Sequence, residues 1–105
     1  MTVHCLRVHY YVADVGRAPV RDRLVAKQRA SREEQGCLEY SVFASPDDRT
    51  HFSVFERYID AAAHQAHMKS CHFRDLISTI PAEWITHKTV ERCLPIEDEG
   101  DDRVR

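Results

Sequence analysis

His67 and His72 stand five residues apart on either side of Ser70, and Glu56 and Tyr58 lie a short way upstream. Imidazole titrates near neutrality, so either histidine can take a proton from an acidic phenol or carbon acid. Phe52, Val54, Glu56 and Tyr58 recur with a period of two, which turns all four to one side of an extended chain. A carboxylate among such neighbours needs a partner, and a histidine would serve. The pair would raise the histidine's basicity and fix its tautomer. A plainer role also fits the same residues, with the imidazoles closing a helix end and Glu56 tying strand to helix. Tyr40, Phe52, Tyr58, Phe73 and Trp84 supply rings that either form core or line a pocket for a flat, aromatic substrate.

Metal chemistry is the other use for such residues. His64 and His67 are one helical turn apart, and Cys71 and His72 follow. Imidazole and thiolate are good zinc ligands, but no acidic residue falls near them in sequence, so no metal is expected. The chain has only 3 glycines and no glycine-rich phosphate loop, so no nucleotide or flavin cofactor is expected either.

The elements that must carry these residues follow from periodicity. Val3 to Val12 is extended, with Leu6, Val8, Tyr10 and Val12 on one face. Pro19 suits the first turn of a helix and Gly36 its stop, and Val20, Leu24, Ala26 and Ala30 give that helix an apolar stripe. The charged residues around it (Arg21, Asp22, Arg23 and Arg32, Glu33, Glu34) read as a solvated face. Strands over Cys37–Ala44 and His51–Tyr58 flank Ser45-Pro46-Asp47-Asp48-Arg49-Thr50, whose composition favours a tight reversal. Asp60 can cap a helix through Lys69, and Ser70 a further one in which Phe73, Leu76, Ile77 and Ile80 recur at helical spacing. Pro81 closes it, and Trp84 to Cys93 forms a last strand.

The order βαββαβ predicts an α+β, ferredoxin-like domain over residues 1–96: a four-stranded antiparallel sheet with both helices on one face. The other face carries Cys5, His9, Phe43 and Phe55, and a second copy is the economical cover, so a homodimer is expected. Residues 97–105 read as a disordered acidic tail. At 105 residues, 43% apolar and a net charge of −2, the chain offers no electrostatic case for nucleic acid and no apolar run that would enter a membrane. With no secretory leader pattern at Met1 to Val12, a cytoplasmic location is expected, where Cys5, Cys37, Cys71 and Cys93 would be free thiols.

Four segments together resemble the antibiotic biosynthesis monooxygenase superfamily. They are Gly36-Cys37-Leu38-Glu39-Tyr40, Ser45-Pro46-Asp47-Asp48, Phe55-Glu56-Arg57-Tyr58 and His67-Met68-Lys69-Ser70-Cys71-His72-Phe73, and the likeness keeps order and spacing over about residues 3 to 93. The resemblance implies a dimeric α+β barrel and places His67, His72, Glu56 and Tyr58 at the family's pocket. The haem-degrading branch carries a tryptophan where His67 stands, a histidine where Ile77 stands and an asparagine in the first strand, and this sequence has none of the three. What the resemblance then implies is a cofactor-independent monooxygenase acting on a quinol, anthrone or similar aromatic, with His67, His72 and Glu56 as catalytic residues. Two other functions share the same pocket: a binding module that sequesters a small aromatic, and an isomerase or lyase using the same proton chemistry.

Overall fold

The computed structural model describes residues 2–96. Strand β1 (His4–Val12) leads through a short 3-10 turn, Asp14–Gly16, into helix α1 (Arg17–Arg32). Strands β2 (Cys37–Ala44) and β3 (His51–Tyr58) follow, then helices α2 (Ala61–Met68) and α3 (Cys71–Thr79) and strand β4 (Ile85–Cys93). The sheet is antiparallel throughout, in the order β2-β3-β1-β4, so the fold is the expected α+β, ferredoxin-like one. The expected acidic tail from residue 97 lies outside the described residues, as do the side chains of Leu76 and Ile77.

Pairing fixes which side chains meet under the helices. Val8 lies opposite Val54, Tyr10 opposite Phe52, and Leu6 opposite Glu56, which in turn faces Tyr40 on β2. The alternation seen in the sequence therefore becomes one buried surface, with Val54, Tyr40 and Tyr58 almost wholly enclosed. Helix α1 covers it with Val20, Leu24, Lys27 and Ser31. This corrects the expected stripe: Ala26 is exposed, and Lys27 takes the inward position one residue on. The spacing 20, 24, 27, 31 is that of one helix face, and reading it by hydrophobicity alone skips its polar members.

Local signals set the ends. Asp60 accepts from the Ala63 amide at 2.8 Å and Ser70 from the Phe73 amide at 3.3 Å, so α2 and α3 begin at the caps expected of them. Gly36 does not end α1, which stops at Arg32. It instead permits close approach: a Cβ there would stand 2.5 Å from the Ala63 Cβ, so the turn before β2 presses directly on α2. Trp84 is not in the last strand either. It closes a second 3-10 turn, Ala82–Trp84, and packs on Gly16, where a Cβ would come within 2.9 Å of its own.

Among the described residues no helix covers the opposite face of the sheet, which presents Arg7, His9, Phe43 and Phe55 beside Cys5. Phe43 is 53% exposed there. All four cysteines are free, as expected. Among the described residues no helix is long and apolar enough to cross a membrane.

Candidate active site

Helix α2 lies over the end of β3, and its last turn lowers His67 into the space between helix and sheet. Only 1% of His67 is exposed. Its Nδ1 lies 3.1 Å from both carboxylate oxygens of Glu34, in the turn after α1. Its Nε2 is buried with no hydrogen-bond partner among the described residues, 4.0 Å from Glu56 Oε1. Burial pushes the His67 pKa down, against the opposing pull of Glu34, so the ring is neutral at neutral pH. A neutral ring beside a carboxylate places its one proton on Nδ1, donated to Glu34, and leaves Nε2 as a free lone pair facing inward.

The surroundings of Nε2 come from β2 and β3. Tyr58 donates to Glu56 Oε1 at 2.7 Å, and burial followed by Glu56 itself keeps that phenol protonated by raising its pKa. The Tyr40 and Tyr58 rings lie 5.7 and 5.4 Å from the imidazole, and the Tyr40 hydroxyl is buried with no partner among the described residues. Phe73 meets His67 edge-on at 5.5 Å from the far side. His72, at the start of α3, contacts the Glu34 carboxylate through Nε2, so one carboxylate holds both histidines.

Of the expected site residues, the fold therefore gathers His67, His72, Glu56, Tyr40, Tyr58 and Phe73. Phe52 belongs to the core beside its cross-strand neighbour Tyr10, and Trp84 sits on Gly16. Glu34, expected on a solvated face, is instead the anchor of the cluster. The weak signal for it was Gly36, whose missing side chain lets this turn close on α2. Lys27 is the second omission. Its residue is 3% exposed, and its Nζ stands 4.2 Å from the centre of the Phe73 ring.

Beyond Phe73 a cavity of about 240 Å³ opens beside the edge strand β4, bordered by Tyr10, Lys27, Phe73, Ile80, Ile85 and Lys88. Phe73 is thus a shared wall between this cavity and His67. A shallower cleft on the α2 side of His67 includes Glu34 and His72. The ligand atoms of Glu34, His67 and His72 lie within 4.8 Å of one another, a set able to hold a divalent cation. The expectation of no metal rested on the absence of a nearby acid, and the fold supplies one from Glu34.

An antiparallel sheet in the order β2-β3-β1-β4 with its helices packed on one face defines a ferredoxin-like α+β domain. The chain belongs to the antibiotic biosynthesis monooxygenase family, whose sequence profile matches residues 4–78. Among solved structures it is similar to PA3566 from Pseudomonas aeruginosa, at 23% identity over 92% of this chain and 97% of that one, with a TM-score of 0.86. Rv0793 from Mycobacterium tuberculosis is similar at 23% identity, covering 93% and 99% of the two chains, TM-score 0.84. A conserved Bacteroides thetaiotaomicron protein of unknown function, described as a candidate oxidoreductase, aligns at 25% identity over 89% and 97%, TM-score 0.80. Among curated proteins none matches the chain in sequence.

Proposed function

We propose that the protein is a cofactor-independent monooxygenase acting on a small quinol- or anthrone-like aromatic. The observation that carries this is the His67 Nε2 lone pair: enclosed, unpartnered, and held in register by a carboxylate on the other ring nitrogen. The substrate occupies the cavity beside β4 and meets Nε2 when the Phe73 ring swings aside. His67 takes an acidic hydrogen from an anthrone carbon or a quinol hydroxyl, giving an electron-rich anion. That anion passes one electron to dioxygen, and the substrate radical and superoxide combine at carbon. The proton returns from His67 to the peroxide, which loses water to leave a carbonyl. Substrate supplies both electrons that reduce the second oxygen atom, so neither flavin nor metal enters the balance. Glu34 positions His67, and Glu56 with Tyr58 settles the imidazolium while it exists.

Oxygen uptake tests this directly. With anthrone as substrate, one dioxygen should disappear per molecule oxidised, and prior dialysis against a chelator should leave the rate unchanged. Loss of activity to chelator, restored by a divalent cation, would assign the Glu34, His67 and His72 set to metal binding instead. Turnover without oxygen uptake would identify an isomerase or lyase, and binding without turnover a sequestering module.

The same proposal includes a homodimer built on the helix-free face, in a cytoplasmic setting that suits four free thiols. Support comes from Phe43 and its neighbours, which leave aromatic surface exposed on a sheet whose other side is already covered. Sedimentation should show a species of twice the 12.2 kDa chain mass at micromolar concentration. Phe43→Glu should shift it to the monomer. A wild-type protein that sediments only as a monomer would contradict the dimer.

A further inference from the structure

Lys27 is a buried cation that makes no ion pair among the described residues, although the charges of Glu56 and Glu34 act on it from farther off. Its ammonium rests on the face of Phe73. It borders the cavity beside β4 from the α1 side. Lys88 reaches over the same cavity from β4, with Nζ 5.3 Å from the centre of the Tyr10 ring. The remaining walls are apolar or aromatic. Two like charges turned to one apolar slot repel each other, and burying one of them unpaired is unfavourable unless a ligand completes the site.

We propose that this cavity binds a planar aromatic anion, with Lys27 as the group that holds its negatively charged oxygen. The flat walls of Tyr10 and Phe73 select a planar, fused-ring ligand. A lysine ammonium gives a phenolate, enolate or carboxylate oxygen a charge-assisted hydrogen bond, stronger here than in water because the surroundings are apolar. Burial lowers the Lys27 pKa to about 8, which leaves it mostly charged at neutral pH and ready to regain basicity when an anion arrives. The inference rests on the monooxygenase proposal for the identity of the anion: the oxygen held by Lys27 is the one left charged when His67 removes the substrate's proton. Lys27 then stabilises the intermediate that reacts with dioxygen, while His67 makes it.

Equilibrium dialysis with naphthoate and with naphthamide, its neutral counterpart of the same shape, tests the inference without any turnover. At pH 7 the wild-type protein should hold naphthoate at least tenfold more tightly. Lys27→Met should abolish the preference, Lys27→Arg should retain most of it, and Lys88→Met, at an exposed position, should reduce it severalfold. His67→Gln should leave it intact, because that variant removes the base and not the anion site. Equal affinity for the two ligands in the wild type, or a preference that survives Lys27→Met, would overturn the inference. Failure of oxygen uptake with the naphthoate preference intact would remove the monooxygenase proposal and leave the anion site standing.

Discussion

Replacing His67 by glutamine should lower anthrone-dependent oxygen uptake by about 10²–10⁴-fold, the usual range for loss of a general base. Glutamine fills much of the imidazole's volume and can still hydrogen-bond Glu34, so the fold and the affinity for an inert aromatic should change little. His72→Ala should cost far less, because His72 touches Glu34 from the solvent side and is 24% exposed. Glu34→Gln is the informative companion. Glu34 is a positioning residue that raises the His67 pKa against the burial that lowers it. Removing its charge should move the acidic limb of the kcat/KM profile to lower pH while the plateau falls. The sign follows from the base: His67 works deprotonated, so activity is lost as pH drops through its pKa. Burial places that point below the ordinary value of about 6.5. A role confined to stability would lower the plateau without moving the limb.

Lys27→Met should make the protein more stable, by about 3 kcal/mol at pH 7, corresponding to the displacement of the Lys27 pKa from 10.5 to about 8. Methionine keeps the stem's packing on Phe73 and removes the charge that burial disfavours. For a domain of this size the melting temperature should rise on the order of 10 °C. The pH dependence gives a second signature. Between pH of about 8 and 10.5 the unfolded chain binds a proton at Lys27 that the folded chain has released. Wild-type stability should therefore rise with pH across that window, and the variant should lack the rise. A substitution that stabilises the fold while abolishing anion preference is the mark of a group kept for function. Urea unfolding in which Lys27→Met is less stable than wild type would make Lys27 a structural residue.

The architecture was legible because β1 and β3 alternate apolar with polar residues and because α2 and α3 begin at side-chain caps. The faces Leu6, Val8, Tyr10, Val12 and Phe52, Val54, Glu56, Tyr58 needed only the period of two, and the antiparallel pairing of β1 with β3 joins them. The approach of His67 to Glu56 and Tyr58 followed from laying α2 over the same face. Glu34 and Lys27 were not legible for a common reason. A charged residue in a charged helix is ordinarily solvated, and only tertiary approach makes it otherwise. The partners of Glu34 are 33 and 38 residues away in sequence, so no local pattern announces them. Lys27 lies on the inward face by helical spacing, yet its charge hides it from a stripe drawn by hydrophobicity. Trp84 failed for a local reason: the chain after Pro81 makes one 3-10 turn before extending, which carries the indole to Gly16.

The central claim is that His67, oriented by Glu34, removes the substrate's proton before dioxygen takes part. Mixing anthrone with the protein at pH 7 in the absence of oxygen isolates that step, because the anthrone anion absorbs at longer wavelength than the neutral form. The wild-type protein should develop the anion band on mixing and lose it when oxygen is admitted, and His67→Gln should develop none. An anion band of equal size in both proteins, or none in the wild type while oxygen uptake proceeds at full rate, would contradict the account.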